Sequence, residues 1–239
     1  MCRRRRTIQE RIDERRPDFG RLVRDFSHFV DVFATEEQFV GPSVYFHTKT
    51  IEVLRSHTTA ADALGDDQFF EYLYATLTSW GLHRMGPGNT KLRRLDEFKA
   101  TFRAQASNVE RLQHLRIEEL RSDEVPVVVE VAWEIISNLK VGIGETLLIA
   151  NSKALHHLLP DLIPPIDRTY TLKFFTDRRE IYPGRDAELL FRAIYPLFHE
   201  IAVLCSVEID GFITVPPAAM NTSVTKVIDN AIVGFMIAN

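Results

Sequence analysis

Cysteine is nearly absent from this chain: of 239 residues only Cys2 and Cys205 carry a thiol. Two thiols exclude a disulfide framework, a cysteine zinc site and a four-cysteine iron–sulfur cluster. No apolar run reaches the ~18 residues that a membrane span needs. The arginine-rich start has no apolar stretch behind it, so it does not read as a secretory signal. A cytoplasmic protein with no membrane partner is therefore expected. Neither a GxxxxGK[ST] phosphate loop nor an HExxH metal pair occurs. Internal repeats, low-complexity tracts and a Pro/Gly/Ser-rich linker are also missing. Strands do not alternate with helices, which argues against Rossmann-type binding.

Charge is present but uneven. The net charge is -4, from 29 Lys+Arg against 33 Asp+Glu. Residues 1–24 hold nine arginines and four acids, a local +5. Residues 1–18 read as a basic, flexible tail, and 19–239 as a single helical domain with a core lobe over 66–206. Residues 81–103 form a second basic stretch, with Arg84, Lys91, Arg93, Arg94, Lys99 and Arg103 against Asp96 and Glu97. Nucleic-acid binding responds to the local field, so an acidic total does not exclude it.

Helical periodicity dominates, and the expected fold class is all-α, a multi-helix bundle. Phe19, Leu22, Val23, Phe26, Phe29, Val30 and Phe33 recur at three and four, as on one amphipathic helix. Pro42 suits the first turn of a second helix, and Asp66 and Asp67 precede a third, Phe69 to Trp80. Residues 122–139 fit two patterns. Val127, Val129, Val131, Trp133 and Ile135 alternate as in a strand, yet Pro126 suits a first helical turn and Asp123 a cap. The stretch is long for a strand, so a helix is expected. Gly142-Ile143-Gly144 reads as a hairpin, followed by helices Glu145–Leu159, Arg168–Thr176, Asp186–Cys205 (kinked at Pro196) and Thr222–Met236, the last capped by Asn221 or Thr222. Residues 207–218 read as irregular.

The candidate chemistry lies between residues 151 and 168. Lys153, His156 and His157 fall on one side of their helix at ~100° per residue, opposite the apolar stripe. Prolines at 160, 164 and 165 deliver Asp167 to the head of the next helix, where the dipole favours a carboxylate. Asp167 reads either as a cap salt-bridged to Arg168 or Lys153, or as a base or charge stabiliser. His156 and His157 are adjacent, so their rings diverge, and no metal site is expected. Ser152 has no triad partner, and Cys205 reads as inert packing. The loop around His83 and Arg84, with Lys91 and Arg93 beyond it, reads either as a helix–helix turn or as a phosphate cradle. No cofactor is implied.

Two resemblances attach to these residues. The runs GPSVYFHTKTIEVLR (41–55), YLYATLTSWGLHRMGPGNTKL (72–92), NSKALHHLLPDLIPPIDRTYTLKFF (151–175) and KVIDNAIVGFM (226–236) resemble a family of prokaryotic proteins of unknown function, which implies no activity. From about residue 66 to 206 the layout is similar to the helix-hairpin-helix DNA glycosylase superfamily. Gly142-Ile143-Gly144 resembles its phosphate-gripping hairpin, and Asp167 in PPIDRTY resembles its catalytic aspartate. Lys140-Val141 stand where that hairpin has Leu-Pro. Thr146 stands where bifunctional members place a lysine, and Lys153 lies seven residues beyond it. The resemblance implies DNA as partner, with Gly142 and Gly144 toward phosphate and Asp167 toward chemistry; the reading of the residues themselves adds His83, Arg84, Lys91 and Arg168 toward phosphate and Lys153, His156 and His157 toward chemistry. A non-catalytic helical interaction module and an enzyme acting on a small phosphorylated metabolite remain the alternatives.

Overall fold

The computed structural model describes residues 6–36, 41–82, 91–144, 147–182, 185–213 and 220–239. His83, Arg84 and the rest of their loop lie outside the described residues. Among those described, the chain is all-helical. In chain order the helices are α1 (Ile8–Arg24), α2 (Phe26–Ala34), α3 (Pro42–Ser56), α4 (Ala60–Ala63), α5 (Asp67–Ser79), α6 (Leu95–Arg103), α7 (Ala106–Leu112), α8 (Val125–Asn138), α9 (Leu147–Leu158), α10 (Thr171–Thr176), α11 (Asp186–Leu204), α12 (Ser206–Phe212) and α13 (Val224–Ala238). No single helix among the described residues is long and apolar enough to cross a membrane.

Helix α1 occupies Ile8 onward where a flexible tail was expected over residues 1–18, of which residues 1–5 lie outside the described residues. Thr7 and Glu10 form a reciprocal capping box, each side chain accepting the other's backbone N–H. Arg15 Nε then donates to the Phe174 carbonyl at 2.9 Å and Arg16 pairs with Glu200 at 2.9 Å, so α1 is fastened to α10 and α11. The apolar series from Phe19 to Phe33 is split between α1 and α2 by a non-helical Asp25 (φ -110°, ψ 30°). A break at Asp25 lets α2 turn away and pack on α13.

Residues 125–138 are helical, and the packing explains why the strand pattern misled. Val128, Ala132, Ile135 and Ile136 are buried together with Val129 and Val131, whereas Val127 is 60% exposed. Asp123 does not cap α8: it pairs with Arg121, and Glu124 accepts the Arg121 N–H instead. The long helix α11 continues through Pro196, and the sharp bend, 83°, comes at Cys205 where α12 begins. That short helix replaces the irregular chain expected from residue 207. Ser223, rather than Asn221 or Thr222, caps α13 by accepting the Lys226 N–H. The segment α10 begins at Thr171, three residues later than expected.

Helix α13 is the axis of the core. It is buried from Val224 to Phe235. A helix covered on all sides has no solvent face to hold its polar residues, so Lys226, Asp229 and Asn230 must satisfy one another inside. Gly234 is its closest approach to a neighbour: a Cβ there would stand 1.9 Å from the Phe29 carbonyl oxygen of α2.

Candidate functional site

A cavity of about 810 Å³ opens between the ends of α5, α9 and α13, the Gly142–Gly144 turn and the 165–170 crossing. Of the residues singled out from sequence, Gly142, Gly144, Lys153, Asp167 and Arg168 all line it. Trp80, Asn151, Lys226 and Asp229 join them.

Each is placed for a local reason. Trp80 ends α5, and Gly81 (φ 87°) reverses the chain there while Leu82 N–H donates back to the Leu77 carbonyl at 2.9 Å. The glycine turn joins α8 to α9 and is clipped to the preceding segment. Arg93 N–H donates to Val141 O at 2.9 Å and Ile143 N–H to Lys91 O at 2.8 Å. Neither the Gly142 nor the Gly144 amide donates to another described residue. Lys91 thus supports the turn through its backbone. Asn151 Nδ2 donates to the Ile136 and Leu139 carbonyls, both at 2.7 Å, and so closes the end of α8.

Asp167 is half-buried at the cavity wall. Its Oδ1 accepts the Tyr170 N–H at 2.7 Å and its carbonyl accepts the Leu172 N–H at 2.9 Å. It therefore stiffens the entry to α10 one turn before the helix, where Tyr170 occupies the cap position. Burial pushes its pKa up; Lys153 opposes this and Asp229 adds to it. The expected cap with a salt bridge does not form: Asp167 holds a turn ahead of α10 and not its cap position, and among the described residues neither Lys153 nor Arg168 makes an ion pair with it. Instead the Lys153 ammonium lies 5.7 Å from the centre of the Trp80 ring.

The second lysine is more tightly held. Lys226 Nζ donates to Asp229 Oδ2 at 2.6 Å and to Asn230 Oδ1 at 2.7 Å, and stands 5.4 Å from the Trp80 ring centre. Sequence reasoning missed this cluster. The available signal was three polar residues at i, i+3 and i+4 in an otherwise apolar helix.

The histidines do not reach the cavity. His156 and His157 are fully buried, which overturns their expected place on a solvent-facing side of α9. Helix α3 and the start of α13 cover them. His157 Nδ1 faces the Lys153 carbonyl at 2.7 Å, so it must carry the proton. Its bare Nε2 then accepts from His47 Nδ1–H at 3.0 Å, and His47 Nε2 accepts from the Thr222 hydroxyl at 2.7 Å. The whole chain is satisfied with both rings neutral. Burial accordingly depresses the pKa of His47 and His157 well below the ordinary histidine value, and that of His156 to about 3. The His47 ring stacks at 5.5 Å and 26° on Trp80, so this neutral network underlies the cavity wall.

Most of the basic stretch is paired: Arg93 with Glu97 at 3.5 Å, Arg94 with Asp96 at 3.3 Å, and Lys99 and Arg103 with Asp67 at 2.8 and 3.1 Å. Among the described residues no group of three or more His, Cys, Asp or Glu side chains is arranged to hold a metal. Cys205 is buried, and its thiol pKa is pushed up to about 12, as befits a packing residue. In comparisons with known proteins, no family model, no curated protein and no solved structure matches this chain.

Proposed function

We propose that the chain binds nucleic acid and acts on one nucleotide unit lodged in the cavity, in the manner of a base-excision enzyme. One observation carries the reading: the Gly142 and Gly144 turn, Lys153 and Asp167 line a single cavity of about 810 Å³. Two glycine amides that donate to no other described residue suit a backbone phosphate. A cavity of this size accepts a flipped base and its sugar. Asp167 Oδ2 takes no hydrogen bond among the described residues, and is the oxygen that faces the reacting sugar. The base departs with the electron pair of the glycosidic bond. Water attacks the sugar carbon, and its proton passes to Asp167, whose raised pKa suits a base.

The test is binding of a short duplex across a salt series, followed by release of base. Affinity falling steeply from 50 to 200 mM salt supports the reading. Absence of binding to duplex, damaged and single-stranded DNA at low salt overturns it. A small phosphorylated ligand is the second reading, favoured by the ion pairs that neutralise residues 93–103. It predicts a salt slope of about one phosphate, against several for a strand.

A further inference from the structure

Helix α11 is apolar on two opposite sides. Its inner side, which includes Leu190, Phe191, Ile194, Phe198 and Ile201, is buried in the core. Its outer side would be polar if water were its only neighbour. Instead Leu189, Ala193, Pro196, Glu200 and Val203 recur at four and three, all within about 40° of one line along the helix. Four of these five are apolar, and the fifth, Glu200, is paired with Arg16 of α1 at 2.9 Å. Leu204 widens the stripe, and Val207 carries it past the bend onto α12. Leu189 and Val203 are each 47% exposed, Leu204 57% and Val207 82%. The flanking charge is closed within the chain, since Arg192 pairs with Glu188 at 2.9 Å and with Glu130. A helix apolar all round is one that is covered all round, and exposed apolar side chains in line mark a face for a partner.

We propose that this face joins two copies of the chain about a two-fold axis, their α11 helices antiparallel and crossing at Pro196. A two-fold contact needs a surface that complements itself, and this one does. Leu189 and Val203 stand at equal intervals on either side of Pro196. Antiparallel helices crossing there set Leu189 of one copy against Val203 and Leu204 of the other. The ends match in charge as well. Arg185, at the start of the stripe, has a side chain 79% exposed, with only Glu188 near it at 3.5 Å. Glu208 and Asp210, at the far end, are exposed and make no ion pair among the described residues. The antiparallel alignment brings Arg185 of one copy toward Glu208 of the other. Those same acids would be repelled by an anionic lipid surface, the other apolar neighbour that the Val203, Leu204 and Val207 corner could meet. A helix of 19 residues is ~28 Å long, so two such faces cover on the order of 1,000 Å² in total, the low end for a specific pair. A dissociation constant in the micromolar range follows. The pairing stands whether or not the cavity takes a nucleotide.

Sedimentation velocity of the whole chain from about 1 to about 100 µM reads the equilibrium. The expected result is a monomer that becomes a dimer over that range. Leu189→Glu and Leu204→Glu place a charge on an exposed position, so each should stay folded by circular dichroism and remain monomeric throughout. Arg185→Glu and Glu208→Arg set like charges against each other at both ends of the contact, and each alone should weaken the dimer by about tenfold. An equimolar mixture of those two variants restores opposite charges at both ends and should dimerise as the native chain does. A chain that stays monomeric at the highest concentration overturns the proposal. So does a dimer that survives both Leu189→Glu and Leu204→Glu, because it must use another surface. Failure of the mixed charge variants to recover overturns the antiparallel alignment. A monomer that binds vesicles of phosphatidylcholine and phosphatidylserine, and loses them on Leu204→Glu, assigns the face to a membrane and overturns the dimer.

Discussion

Replacing Gly234 by alanine adds one methyl group at the tightest point of the core. The new Cβ would lie 1.9 Å from Phe29 O, 2.9 Å from Phe29 C and 3.1 Å from Phe33 N. An ordinary van der Waals separation is about 3.4 Å, so the deficit at the oxygen is about 1.5 Å. All three obstacles are backbone atoms of α2, and no rotamer change relieves them. The helices must separate, loosening the contacts of Phe26, Phe29, Val30 and Phe33 along that face. We expect a loss of about 3–5 kcal/mol, at the upper end for overpacking, after an offset of roughly 1 kcal/mol from the better helix propensity of alanine. That corresponds to a melting temperature lower by about 6–20 °C for a domain of this size. Gly20→Ala is the control. Gly20 is also helical but nothing stands within 4 Å of its added methyl, so the same change should stabilise by about 0.5–1 kcal/mol. Urea and thermal melts followed by circular dichroism read both. A Gly234→Ala loss below about 1 kcal/mol would refute the claim that α2 and α13 touch backbone to backbone.

Three further outcomes follow from the site. The histidine network should make the fold acid-labile. His156 has a folded pKa of about 3 against about 6.5 unfolded, so the unfolded chain binds the proton first and stability falls as pH drops below 6.5. At pH 5 this amounts to about 2 kcal/mol for that one residue, and the His47, His156 and His157 imidazole signals should remain neutral until the protein unfolds; titration of any of them near pH 6.5 in the folded state would contradict the network. Lys226→Met leaves Asp229 buried without its cation and should cost roughly 3–5 kcal/mol by denaturant melt, with Asp229→Leu added to it recovering most of the loss; an unchanged midpoint for the single variant would show that the pair is not buried. Asp167→Asn keeps an oxygen for the Tyr170 N–H, so stability should shift by less than about 1 kcal/mol while any base release disappears; release at the native rate would remove Asp167 from the chemistry.

The helical class was readable from periodicity alone, because the 3.6-residue repeat of apolar side chains is a local property. Several members of the site were readable too. Gly142, Gly144 and Asp167 stand out since a glycine turn between helices and an aspartate after a proline-rich crossing are local breaks in that repeat. The misreadings share one cause. Asp25 splits the Phe19–Phe33 series although nothing in the repeat marks it, since the break serves the docking of α2 on α13. His156 and His157 look surface-facing because they lie opposite the apolar stripe of their helix. They are covered by His47, from a helix more than a hundred residues earlier, and by Thr225, more than sixty later.

The amino-acid sequence on its own thus determined what depends on neighbours within a few positions: helix type, the glycine turn, and the exclusion of cysteine chemistry. Tertiary structure alone decided which polar groups meet. Lys226 reaches Trp80 only because α13 runs through the core beside the end of α5. Trp80 and Asn151 come to line one cavity only when α5 and α9 are packed. Contacts between residues tens of positions apart leave no periodic trace in the chain, since the loop closures that create them are set by the burial of the whole core rather than by any local preference.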